Sequence, residues 1–139
     1  MQKRIKKNLL EIIYASVLIM IFAFVGYSFI CWSIASSVNS ISKEAMKEFG
    51  PDKVQALMAY VDCSEKKLKK RNSAVWALGQ IGDKRALNVL IKYYKFKECD
   101  HDHELCQYEL KKAINCCQGG FNSTAWMRKV NYFQLNERK

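Results

Sequence analysis

The hydrophobic positions divide the chain into one continuous apolar stretch and a later region in which apolar residues recur at helical spacing. Residues 12–34 contain no charged side chain and no proline. A helix of that length is about 34 Å long, which is enough to cross a hydrocarbon core of about 30 Å. Because a helix satisfies its backbone hydrogen bonds internally, we predict a transmembrane helix over residues 12–34. A cleaved signal peptide is the alternative, although the stretch exceeds the usual length of its apolar region.

Basic residues on the two sides of this stretch set its expected orientation. They cluster at positions 3–7, whereas the first basic residue after the stretch is Lys43. Loops on the cytoplasmic side of a membrane are enriched in Lys and Arg. We therefore expect a single-pass protein of the cell membrane, with a basic cytoplasmic segment at residues 1–11 and its remaining bulk outside the cytoplasm.

Apolar residues after the stretch recur every three or four positions, which predicts short helices. The first should be a separate juxtamembrane helix within residues 35–51, because Gly50 and Pro51 cannot continue it. No segment alternates with a period of two, so the predicted fold class is all-α. Further helices are predicted near residues 54–61, 74–81 and 86–93, and a last one over residues 103–117.

One segment carries a longer pattern, RNSAVWALGQIGDKRALNVL at residues 71–90. Its alanines let two helices approach, Gly79 and Gly82 permit a tight turn, and Asp83 is placed to cap the second helix. The pattern resembles the short HEAT-like repeat found in phycobilin lyases and many bacterial proteins. The resemblance implies a stacked α-solenoid that binds other proteins through exposed helix faces.

Weaker similarity on both sides of this segment extends the predicted solenoid. Residues 52–61 resemble the second helix of a preceding repeat, and residues 103–117 resemble the first helix of a following one. We thus predict an N-terminal transmembrane helix followed by two to three HEAT-like helical hairpins over residues 52–120. The C-terminal tail, residues 121–139, contains an aromatic and basic stretch at 126–135 that is expected to dock on the solenoid or on a partner.

Charge narrows the range of partners. Lys and Arg total 23 against 13 Asp and Glu, and the densest basic run is at residues 66–71. We expect no nucleic-acid partner, because a domain outside the cytoplasm meets no genome and no aromatic residue interleaves the run. A solvated surface, an acidic partner surface or anionic lipid headgroups explain the run instead. The candidate partner-binding residues are Lys66, Lys67, Lys69, Lys70, Arg71, Trp76 and Tyr94.

Cysteines are the main candidates for chemistry. Closely spaced cysteines outside the cytoplasm commonly form disulfides, and the short loop between Cys99 and Cys106 favours that pairing. Cys106 and Cys117 are about 16 Å apart along one predicted helix and cannot pair. Cys116 and Cys117 are alternative partners of Cys99, and Cys63 is a candidate partner of Cys117.

The same segment offers zinc as an alternative cofactor. Cys99, His101, His103 and Cys106 supply two thiols and two imidazoles, but their spacing matches no common structural zinc site, so the leading expectation is no metal.

No nucleophile stands with a base and an orienting acid at a recognised spacing, and we expect no enzyme activity. The leading hypothesis is a membrane-anchored protein-protein interaction module, an accessory or scaffold subunit of a membrane assembly. The alternative is an extracytoplasmic metal-binding or redox module at residues 99–106.

Overall fold

The computed structural model describes residues 2–122, apart from the side chains of residues 2–7 and 9, and every regular element among them is helical. The predicted all-α class is confirmed. The predicted docking stretch at residues 126–135 lies outside the described residues. The helices are α1 (Gln2–Phe49), α2 (Lys53–Asp62), α3 (Leu68–Ile81), a 3-10 turn (Lys84–Ala86), α4 (Leu87–Tyr93) and α5 (Gln107–Cys117).

The chain divides into two compact units, residues 1–34 and residues 35–139. The first unit is the apolar part of α1, and its large side chains are exposed, Phe22 to 75% and Phe24 to 71%. Among the described residues, Leu10–Phe49 is the one helical stretch long and apolar enough to span a membrane. It is a candidate membrane span by length and composition.

The last turns of α1 belong to the second unit. Val38, Ile41 and Ala45 are buried there, and the Phe49 ring lies 6.0 Å from the Tyr60 ring in an edge-on arrangement. The predicted separate juxtamembrane helix is not formed, because neither glycine nor proline interrupts residues 35–49 and α1 continues to Phe49. Gly50 then ends the helix with a φ of 110°.

The HEAT-like pattern at residues 71–90 forms a helical hairpin of α3 and α4. Gly82 ends α3 in the left-handed conformation, with a φ of 68°. Asp83 was expected to cap α4, but its carboxylate accepts the N–H of Arg85 at 2.9 Å and thereby caps the 3-10 turn before α4. Ala74, Ala77, Leu78, Ala86 and Leu90 are fully buried, so the predicted apolar face forms the core.

Gly79 has a different role from the one expected. The sequence pattern placed it in a tight turn, but it lies within α3, where α5 approaches closely. A Cβ atom at Gly79 would be 2.7 Å from the Cα of Ala113. Its missing side chain therefore permits close packing of α3 against α5.

The last helix begins later than the sequence predicts. Residues 101–104 form turns, and α5 begins at Gln107 rather than His103. The Asp100 carboxylate accepts the N–H groups of Asp102 and His103, which favours a turn because the side chain competes with helical hydrogen bonding. The predicted buried face is correct for Cys106, Leu110, Ala113 and Cys117.

Candidate functional site

The basic run at residues 66–71 is largely paired within the protein. Lys66 forms an ion pair with Glu48, and Lys70 forms one with Glu44 at 2.6 Å. The Nε of Arg71 donates to the carbonyl of Val61 at 2.8 Å. Lys70 and Arg71 connect α3 to α1 and α2, and Lys66 connects the segment before α3 to α1. Lys67 and Lys69 are exposed on the surface.

The two aromatic candidates for partner binding lie in different grooves. Trp76 is half-buried, and its groove is lined by Lys69, Asn72, Ser73, His101 and Glu109. Tyr94 lies in a groove beside Phe96 and the α5 residue Tyr108. The sequence reasoning thus joined residues that the structure places in separate grooves.

Tyr94, Phe96 and Tyr108 form what we call the aromatic surface. The ring centroids of Tyr94 and Phe96 are 4.4 Å apart. Phe96 is 85% exposed and Tyr108 is 62% exposed. Phe96 also has a φ of 56°, a left-handed conformation that costs a non-glycine residue roughly 1–2 kcal/mol. Phe96 and Tyr108 were not among the residues predicted from the sequence, because neither the backbone angle of Phe96 nor the approach of α5 to the loop after α4 follows from spacing along the chain.

Strained backbone conformations cluster at functional sites, and they persist only where the surrounding structure maintains them. Here the surrounding structure includes Gln107, which is 3% exposed. Its side-chain oxygen accepts the N–H of Lys95 at 2.7 Å, and its Nε2 donates to the carbonyl of Tyr93 at 3.2 Å. Gln107 therefore fixes the backbone on both sides of Tyr94.

The cysteine segment forms a second cluster at the start of α5. The Sγ atoms of Cys99 and Cys106 lie 3.1 Å apart, and the ligand atoms of Cys99, His101 and Cys106 all lie within 4.8 Å of one another. Three of the four residues named as alternative zinc ligands are therefore together. The fourth, His103, is exposed, and its Nδ1 lies 3.1 Å from the Asp100 carboxylate, which lowers the pKa of Asp100.

The other cysteines have different surroundings. Cys117 is buried, its thiol donates to the carbonyl of Leu78 at 3.7 Å, and burial raises its pKa to about 11. The thiol of Cys116 accepts from the amide of Asn122 at 3.7 Å, and Cys63 is half-buried at the end of α2. Within residues 2–122 all cysteines are free thiols, so the disulfides stay predictions.

Comparison with known families agrees with the hairpin geometry described above. Residues 70–95 match the family model of the PBS lyase HEAT-like repeat. These residues form a HEAT-like repeat. The repeat comprises α3, the 3-10 turn and α4, and the resemblance predicted from residues 71–90 is confirmed. Neither the curated proteins nor the solved structures contain a significant match to the chain.

The HEAT-like repeat packs against the helices that precede and follow it in the chain. α2 contacts α3, and α5 contacts both α3 and α4. Helical repeats of this kind mediate protein interactions and obtain their core by stacking against neighbours. The aromatic surface lies where the loop after the repeat meets α5, the last helix that the structure describes.

Proposed function

We propose that this protein is a membrane-anchored protein-protein interaction module, an accessory or scaffold subunit of a membrane assembly. The HEAT-like repeat at residues 70–95 supports the interaction role. The candidate span within Leu10–Phe49 supports the anchoring. We further propose the orientation expected from the basic residues at positions 3–7, with the repeat domain outside the cytoplasm.

The aromatic surface is the observation that carries the interaction role. A Phe side chain that is 85% exposed and a Tyr side chain that is 62% exposed leave apolar area in contact with water. The left-handed backbone conformation of Phe96 adds a conformational cost, and its ring pairs with the ring of Tyr94. Aromatic residues of this kind are enriched among the residues that dominate binding energy at interfaces.

Charge around the aromatic surface defines the partner that would fit. Lys111 and Lys112 are exposed along the same groove, and the Nζ of Lys112 lies 5.5 Å from the centre of the Tyr108 ring. The formal net charge of the chain is +10. The complementary partner is a protein surface with apolar side chains flanked by acidic residues, which these lysines would attract and orient.

Co-purification of the full chain from gently solubilised membranes tests this proposal. A companion protein should be recovered with the wild-type chain and lost with Phe96→Ser. The matched control is Phe121→Ser, because Phe121 is 89% exposed and lies in a different groove. A monodisperse monomer without companions, or equal recovery from the two variants, would contradict the proposal.

A further inference from the structure

The Cys99 and Cys106 thiols are held together by hydrogen bonds from two helices. Their Sγ atoms lie 3.1 Å apart, while a disulfide bond is about 2.05 Å long. The N–H of Cys106 donates to the side-chain oxygen of Asn72 on α3 at 2.9 Å. The N–H of Tyr108 on α5 donates to the Sγ of Cys99 at 3.2 Å. A small movement of the loop would therefore bring the sulfurs to bonding distance.

The two thiols have unequal surroundings. Cys106 is 6% exposed, whereas Cys99 is partly exposed at the surface. The hydrogen bond with Cys106, followed by the N–H of Tyr108, lowers the pKa of the Cys99 thiol. Burial, followed by the hydrogen bond with Cys99, raises the pKa of the Cys106 thiol. A partly exposed thiol 3.1 Å from a buried one is the arrangement in which one sulfur attacks a disulfide and the other displaces it.

The arrangement of Cys99 and Cys106 fits a zinc site less well than it fits a pair of reacting thiols. Two thiolates on a tetrahedral zinc, with bonds of about 2.3 Å, are about 3.8 Å apart, so the observed 3.1 Å pair would have to open. Only three donors converge among the described residues, and the remaining candidate, His103, pairs with Asp100. The geometry therefore favours sulfur chemistry over metal binding.

We propose that Cys99 and Cys106 form a thiol-disulfide exchange site, and glutathione disulfide is the probe substrate that tests it. The Cys99 thiolate attacks the substrate disulfide, forming a mixed disulfide and releasing one substrate thiolate. Cys106 then loses its proton to solvent and attacks the Cys99 sulfur, which forms the Cys99–Cys106 disulfide and releases the second substrate thiolate. The protein pair loses two electrons and two protons, and the substrate disulfide gains them as two thiols. The proposal stands independently of the aromatic surface.

Peptide mapping resolves the steps, because trypsin cleavage after Lys97 and Lys111 gives one peptide that holds both cysteines and no others. The reduced full chain in detergent would be incubated with glutathione disulfide and then alkylated. The wild-type peptide should carry no alkyl group and should be lighter by two hydrogens than the unalkylated, reduced peptide. The Cys106→Ser variant should accumulate glutathione on Cys99. In the Cys99→Ser variant, glutathione should attach to Cys106 about tenfold more slowly than it attaches to Cys99 in Cys106→Ser. Cys63→Ser, the matched control outside the pair, should behave like the wild type.

Three outcomes would overturn the proposal. The first is equal glutathione modification of Cys99→Ser and Cys106→Ser, and the second is a wild-type chain that never forms the internal disulfide. The third is stoichiometric zinc in the purified chain that His101→Ala removes, which would assign the cluster to metal binding. Circular dichroism of each variant shows whether it is folded, and Cys106→Ala replaces Cys106→Ser if the buried hydroxyl prevents folding.

Discussion

Gly79 lies at a close approach of α3 to α5, where a methyl group would meet backbone atoms. A Cβ there would be 2.7 Å from the Ala113 Cα, so the helices must separate to accept Gly79→Ala. Overpacking costs about 1–3 kcal/mol, against a gain in helix propensity of about 1 kcal/mol. Because the clash is with backbone atoms that cannot rotate away, the upper end of this overpacking range applies. We expect a net loss of about 2 kcal/mol in the free energy of unfolding, measured by chemical denaturation.

Gly26→Ala is the matched control for this substitution. A Cβ at Gly26 has nothing within 4 Å, and the residue lies in the apolar part of α1. We expect the free energy of unfolding of the repeat domain to be unchanged by Gly26→Ala. Equal stability of the Gly79→Ala variant and the wild type would show that α3 and α5 do not pack as described.

We expect Phe96 to lower the stability of the folded chain and to contribute to binding of the partner. Its φ of 56° is unfavourable for any residue with a Cβ, so Phe96→Gly should raise stability by roughly 1 kcal/mol while removing the exposed ring. The melting temperature should rise and companion recovery should fall. A lower melting temperature would indicate that the ring packs within the protein and is not a free binding surface.

Individual residues differ in how far their roles could be predicted from the sequence. Ala74 and Leu78 were placed correctly in the core, because helical spacing identifies a buried face directly. Gly79 and Phe96 were not, because their roles depend on a neighbouring helix and on a local backbone angle. Neither property is encoded in spacing along the chain.

Carboxylates connect the helices of the second unit in pairs with basic side chains. Glu44 on α1 accepts from Lys70 on α3 and from the hydroxyl of Tyr60 on α2. The hydrogen bond from Lys70, followed by that from Tyr60, holds the pKa of Glu44 below its ordinary value of 4.5. On α2, Asp62 accepts from Lys92 on α4 at 2.8 Å.

Because the pKa of Glu44 is lower in the folded state than in the unfolded state, the direction in which stability changes with pH is determined. The stabilisation from Glu44 is fully present above pH 4.5 and is lost as the pH falls through the lower folded-state value. We expect the melting temperature to fall below pH 4.5, and Glu44→Gln to reduce that fall by removing the titrating group. Thermal unfolding monitored by circular dichroism between pH 7 and pH 3 measures both effects.

Glu65→Gln serves as the control for that comparison, because Glu65 is an exposed carboxylate in the connection between α2 and α3. Its pH profile should match the wild type. A profile of Glu44→Gln that also matches the wild type would mean that the contact from α1 to α3 does not form in solution.

Helices were predicted more accurately than the loop that precedes the last one. The sequence indicated the cores of α2, α3 and α4, where apolar spacing dominates the choice of structure. It placed the start of α5 too early, because the turn at residues 100–104 depends on side-chain to backbone hydrogen bonds. The two thiols were expected to meet, but their unequal environments depend on burial by helices that pack in three dimensions.

The placement of the chain across the membrane rests on the charge distribution at positions 3–7 and on the candidate span. A membrane-impermeant maleimide added to intact cells should label the introduced thiol of Glu65→Cys, because position 65 is exposed, while the introduced thiol of Gln2→Cys should react only after permeabilisation. Peptide mapping identifies the labelled residue. The opposite result would place the repeat domain in the cytoplasm and would remove the oxidising environment on which the predicted disulfides rest.

Site-specific photo-crosslinking in native membranes tests the central claim most directly. A photoreactive phenylalanine analogue would be incorporated at position 96 of the full chain, with position 121 as the control. We expect one discrete adduct with another membrane-fraction protein from position 96 and none from position 121. The claim is contradicted by no adduct at position 96, by the same adducts at both positions, or by a crosslink from position 96 to residues 123–139 of the same chain.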